Sequence, residues 1–144
     1  MTQYSGPGAQ QVADRWRMDG TDVLAQQGYI VACVDGRGTG FRGESFRKCT
    51  YRQLGRYETE DQIEAARYLG SLPYVDGSRI GIYGWSYGGF MALNCILKGN
   101  DVFRIAIAVA PVTPWRFHDT VHTEIYTGLP QHHPSGYDHH YPIR

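Results

Sequence analysis

Neither charge sign is in excess in this chain: Lys+Arg and Asp+Glu stand at 14 each over 144 residues. Without a basic field nothing draws in nucleic-acid phosphates or an anionic membrane surface, so no nucleic-acid partner is expected. Long apolar runs are also missing. The longest, such as Ile105-Ala106-Ile107-Ala108-Val109-Ala110, fall far below the roughly 18 residues of a membrane span, so no membrane-spanning segment is expected. Met1 leads straight into a polar, glycine-containing stretch that lacks the charged start and apolar middle of a secretion leader. Cysteine is scarce. Cys33, Cys49 and Cys95 are odd in number and show no C-x-x-C spacing, which predicts free thiols rather than a disulfide framework or a zinc site.

What is present is an alternation of short apolar runs with helical patterns, the mark of an α/β fold with a parallel sheet and helices on both faces. Strands are expected at about 1–4, 29–34, 79–83 and 105–109. Each is apolar without period-two alternation, as burial of both sheet faces requires. Helices are expected at about 10–27, 57–72 and 86–97. Ile63, Ala66 and Leu69 form an apolar stripe on the second, and Phe90, Leu93 and Leu97 on the third. Gly20 interrupts the first, which is expected to break there. The long stretch 35–56 is rich in Gly and Arg, and Arg37 in it is expected to pair with a nearby carboxylate. Gly36-Arg37-Gly38-Thr39-Gly40 has neither the P-loop lysine nor the dinucleotide-binding spacing.

The motif that carries chemistry is Gly84-Trp85-Ser86-Tyr87-Gly88, set between the strand-like Arg79–Tyr83 and the helix-like run from Phe90. It reads as a nucleophile elbow, a sharp strand-to-helix turn with glycines where side chains would clash. Ser86 then projects a hydroxyl from the end of the sheet. The Tyr87 N–H, at a helix N-terminus, is aimed to stabilise a developing oxyanion.

Gln3-Tyr4-Ser5-Gly6-Pro7, Asp35-Gly36-Arg37-Gly38-Thr39-Gly40, Glu60-Asp61-Gln62, Gly84-Trp85-Ser86-Tyr87-Gly88-Gly89, Ala108-Val109-Ala110-Pro111-Val112 and Gly128-Leu129-Pro130 run nearly the length of the chain. Together they resemble the dipeptidyl peptidase IV branch of the prolyl oligopeptidase family. The resemblance implies an α/β-hydrolase fold and a serine exopeptidase that removes dipeptides from peptide amino termini through an acyl-enzyme on Ser86, with no cofactor and no metal. It implies the Tyr4 hydroxyl as second oxyanion donor, full-length relatives that are homodimeric, and a periplasmic, extracellular or membrane-tethered setting. The expected strand order is second, first, third, fourth.

Residues 1–144 are expected to form only part of such a domain, the half that holds the elbow. The triad acid and base should follow Ser86 on loops after two further strands, and neither loop, nor the family's β-propeller, finds a match. Asp101, Asp119 and Asp138 lie on the right side of the serine in sequence, but none follows the right strand. Thr113 and Pro114 look like a helix cap and first position, which would put Trp115, His118 and His122 on one face. By resemblance that face walls the pocket for the residue before the scissile bond, with Val109 and Val112 as its aliphatic lining. Both histidines stand where the family carries tyrosine, which puts proline preference in doubt. On residue types alone, Trp115 reads equally well as a core aromatic and the histidines as surface residues. His132, His133, His139 and His140 have no metal-ligand spacing and read as a solvated, mobile tail. Two other functions fit the same residues: an acylaminoacyl peptidase or esterase, suggested by the altered pocket, and a non-catalytic fragment, suggested by the unmatched acid and base.

Overall fold

The structure is a computed structural model that describes residues 1–138 and 142. In chain order it contains α1 (Thr21–Gln26), α2 (Glu44–Lys48), α3 (Tyr57–Gly70), β1 (Ile80–Trp85), α4 (Tyr87–Lys98), β2 (Phe103–Val109), a 3₁₀ turn (Trp115–Phe117), α5 (Thr120–Thr127) and α6 (Pro134–Asp138). β1 and β2 pair in parallel, from Ile80 opposite Phe103 to Trp85 opposite Val109. α4 returns the chain between them and packs on both strands, while α3 packs on α4. This is the β-α-β crossover that a parallel pair demands.

The expected strands at 1–4 and 29–34 reduce to single pairings of Thr2, with Cys33 on one side and Tyr83 on the other, both parallel. The Thr2 N–H donates to the Ala32 carbonyl at 2.9 Å, and the Tyr83 N–H to the Met1 carbonyl at 2.9 Å. The lateral order is therefore the expected one, second, first, third, fourth, with the outer pair contributing too few ladder bonds to count as strands.

The first helix needs a larger correction. Residues 10–20 are not helical, because the Gln11 and Val12 N–H groups donate to the Asp35 carboxylate instead of entering a helical ladder. Only the stretch after Gly20 winds, as α1, and it buries none of its residues.

The core forms where α3, α4 and the two strands meet, around Ile63, Ala66, Ile82, Phe90, Met91 and Phe103. On α4 the buried face runs through Phe90, Met91, Asn94 and Cys95, whereas Leu97, expected in the stripe, is exposed. Burial of both sheet faces is met on one side only among the described residues. Ile80 and Ile82 face α4 and are buried, while Trp85 (61 % exposed), Ile105 (60 %) and Ile107 (52 %) are open to solvent.

The segment expected to be a mobile tail also differs. Tyr137 is buried, its hydroxyl donating to the Gly128 carbonyl at 2.7 Å, and α6 lies against the Arg52 backbone at Gly136. His132 is exposed and His133 half-buried, and His139 and His140 lie outside the described residues. No described helix is long and apolar enough to cross a membrane.

Candidate active site

The elbow starts from a backbone conformation that only a tightly determined turn sustains. Ser86 has φ 57° and ψ −116°, outside the regions comfortable for a residue with a Cβ. Two things hold it there. Its N–H donates to the Val109 carbonyl at 2.9 Å, so the end of β2 clamps the turn from one side. On the other side the chain is packed too closely for side chains: a Cβ on Gly84 would run into the Gly88 carbonyl, and one on Gly88 would lie 2.6 Å from the Gln3 carbonyl oxygen. Ser86 is the residue capping α4, and its own carbonyl accepts the Phe90 N–H at 3.0 Å. Tyr87 is thus the first helical residue, a position whose N–H has no intrahelical acceptor and sits at the positive end of the helix.

The Tyr4 segment is bound to the same turn. The Gln3 side-chain amide donates to the Gly88 carbonyl at 2.7 Å, and a Cβ on Gly88 would sit 3.2 Å from the Tyr4 Cα. The Tyr4 ring stands 6.0 Å, centroid to centroid, from that of Tyr87. Among the described residues the Tyr4 hydroxyl makes no hydrogen bond, and neither does the Ser86 hydroxyl.

Beyond the elbow the chain does not continue as the expected helix from Pro114. Pro114 is extended, Trp115–Phe117 make one 3₁₀ turn, His118 is extended again, and α5 begins only after Asp119. The reason is the cap: the Asp119 carboxylate accepts the His122 N–H at 2.8 Å, which fixes the helix start there. The three rings nevertheless meet. Trp115 stacks on His122 at 6.0 Å and 18°, and meets His118 edge-on at 5.6 Å. Tyr87 joins the group at 5.6 Å from Trp115 and 6.4 Å from His122, so the aromatic wall is continuous with the residue beside the nucleophile. Trp115 is buried and both histidines are half-buried, so Trp115 serves the core and the wall at once. Val112 packs against the core, and Val109 contributes through its carbonyl as the clamp on Ser86. Burial, reinforced by the neighbouring His118, holds the His122 imidazole below its ordinary value, with Asp119 opposing.

The three aspartates after Ser86 are all occupied elsewhere. Asp101 pairs with Arg67 at 2.9 Å and Asp138 with Arg116 at 2.7 Å, while Asp119 caps α5 and pairs with His118 at 3.1 Å. Arg37 has the expected carboxylate partner, Asp61, which takes its guanidinium at 2.6 Å and its backbone N–H at 2.6 Å.

Sequence reasoning missed Glu58. It is fully buried in the first turn of α3, accepts the Tyr87 hydroxyl at 2.7 Å with one oxygen, and accepts the Gly55 N–H at 3.0 Å with the other. A signal existed: Glu58, Gln62 and Ala66 recur at i, i+4 and i+8, which places a carboxylate on the buried face of the helix. Burial raises its carboxyl to about 7, with the Tyr87 hydroxyl and backbone donors pulling the other way. A carboxyl whose folded-state value lies above its unfolded one binds protons more tightly when folded, so its contribution to stability is lost as pH rises toward 7. Relative to Glu58→Gln, the native chain is expected to be more stable at pH 5 than at pH 8 by about 2–3 kcal/mol. His122 acts in the opposite sense but is common to both proteins, so it cancels in the difference. Urea unfolding of the pair at the two pH values checks this, and a pH-independent difference would contradict it.

A strained serine at the end of a parallel strand, leading into a helix whose first N–H has no acceptor among the described residues, defines the elbow of an α/β-hydrolase. The chain belongs to the prolyl oligopeptidase family, whose model matches residues 16–144. It is 52 % identical over 137 residues to "Probable dipeptidyl-aminopeptidase B" of Paracoccidioides lutzii and 50 % identical over 137 residues to the protein of that name from Arthroderma otae. Both alignments cover 94 % of this chain but 15 % of the relative. The crystal structure of Porphyromonas gingivalis dipeptidyl peptidase 4 superposes with a TM-score of 0.95 at 56 % identity, covering 98 % of this chain and 20 % of that one.

Proposed function

We propose that these residues are the nucleophile half of a dipeptidyl peptidase catalytic domain, acting on the amino termini of peptides through an acyl-enzyme on Ser86. The observation that carries this reading is the Ser86 backbone, strained and clamped by Val109 beside a helix-terminal N–H. In this reading the Ser86 hydroxyl gives its proton to a histidine base as its oxygen attacks the carbonyl, and the Tyr87 N–H and the Tyr4 hydroxyl stabilise the charge that develops. The C–N bond breaks as the histidine passes that proton to the leaving amine, and water then hydrolyses the ester on Ser86 to release the dipeptide. The wall of Tyr87, Trp115, His118 and His122 receives the side chain before the scissile bond. The proton-accepting histidine and its orienting acid come from segments beyond these residues, as the greater length of the relatives allows. Both relatives are named as dipeptidyl-aminopeptidases, which favours this reading over an acylaminoacyl peptidase or an esterase.

The test is a graft, with these residues replacing the matching segment of the P. gingivalis enzyme. The graft should release dipeptides from peptides with a free amino terminus and carry the acyl group on Ser86 when a slow substrate is trapped and digested for mass spectrometry. Acylation at another residue, or release of single amino acids, would contradict the proposal.

The histidines tune the choice of substrate. Imidazole offers less flat surface than phenol, so His118→Tyr with His122→Tyr in the graft should raise the proline-to-alanine ratio of kcat/KM by about three- to tenfold. An unchanged ratio would show that these rings do not touch that side chain.

A further inference from the structure

Glu58 and Tyr87 form a fully buried polar contact between α3 and the first residue of α4. Removing a carboxylate from water costs several kcal/mol, and an apolar pair of similar volume would fill the same space without that cost. A hydrogen-bonded pair supplies direction instead. The Tyr87 hydroxyl is held at one point by Glu58, and Glu58 is itself held by the Gly55 N–H. Gly55 is tied to α3 a second time, through the Thr59 hydroxyl, which donates to its carbonyl at 2.6 Å. Tyr87 is also where the parts of the site converge. Its N–H opens α4, and its ring contacts Tyr4, Phe90, Trp115 and His122.

We propose that Glu58 is a positioning residue of this site, holding Tyr87 so that its backbone N–H and the neighbouring Tyr4 meet the developing oxyanion. The inference rests on the dipeptidyl peptidase reading for its chemistry, but its structural half does not depend on it. Oxyanion donors tolerate little displacement, since a shift of about 1 Å can cost on the order of a hundredfold in rate. Losing the anchor should therefore weaken the transition state and leave ground-state binding nearly intact.

Glu58→Leu, whose side chain has no acceptor for the Tyr87 hydroxyl, Tyr87→Phe and the double variant are made in the graft and assayed at pH 8, above the raised value of the native Glu58 carboxyl. Each single variant should lower kcat by about ten- to a hundredfold with KM changed less than about twofold. The double variant should be no slower than the slower single, because both remove one contact. A dipeptidyl boronate, which forms a tetrahedral adduct on the serine, should lose affinity by the same factor as kcat, while the dipeptide product binds as before. Unchanged kcat in folded variants, or effects that multiply in the double variant, would overturn the inference. Amide hydrogen exchange over residues 86–90 is followed in the same proteins and in the 144-residue chain, and should quicken in both single variants. If the graft with Glu58 and Tyr87 intact has no activity, the peptidase reading fails, and exchange still decides whether Glu58 holds the elbow. No change in exchange would then overturn this inference as well.

Discussion

Ser86→Ala in the graft should lower kcat by about 10⁶, the scale on which a serine hydrolase depends on its nucleophile. The residual rate would come from the oxyanion donors and substrate binding alone. The 144-residue chain by itself should show negligible turnover, because no histidine among the described residues hydrogen-bonds to the Ser86 hydroxyl and an unassisted serine is a weak nucleophile near neutral pH. Hydrolysis of a Gly-Pro chromogenic amide by that chain, vanishing in Ser86→Ala, would contradict this. The strain at position 86 adds a control on stability. Glycine accepts φ 57° and ψ −116° more readily than alanine, so Ser86→Gly should be more stable than Ser86→Ala by about 1–3 kcal/mol, though both are inactive. Equal stabilities would mean that the turn relaxes when the serine is lost.

Tyr4→Phe should lower kcat by about 10²–10³ and leave KM nearly unchanged, since a donor aimed at the oxyanion gains most of its interaction only as charge develops. The structure supplies a clean control for this variant. The Tyr4 hydroxyl has no hydrogen-bond partner among the described residues, and its ring stays packed on Tyr87 when the oxygen is removed. Thermal unfolding should shift by no more than about 0.5 kcal/mol equivalent. A rate loss without a stability loss separates chemistry from folding. A change confined to KM would instead assign Tyr4 to substrate binding.

The elbow was legible because it is a local device: a strand, a strained serine and two glycines specify it within a few residues, whatever surrounds them. α3 and α4 were legible for the same reason, since their apolar positions repeat at the helical period. Ring spacing at 115, 118 and 122 also predicted the aromatic group, although the backbone reaches it by a 3₁₀ turn and a new cap instead of one helix. Contacts between segments distant in sequence were not legible. Residues 10–20 read as helical until Asp35, more than twenty residues away, takes the N–H groups of Gln11 and Val12. Tyr137 and Gly136 read as tail until the Gly128 carbonyl accepts the Tyr137 hydroxyl and the Arg52 backbone packs close against Gly136. Glu58 was not singled out in the sequence, because its partner is the side chain next to the nucleophile, twenty-nine residues on. Periodicity and turn chemistry act between near neighbours in the chain and are written in residue order. Which buried donor finds which acceptor is decided only when the elements pack, because the need to satisfy a polar group removed from water is met by whatever the fold brings beside it.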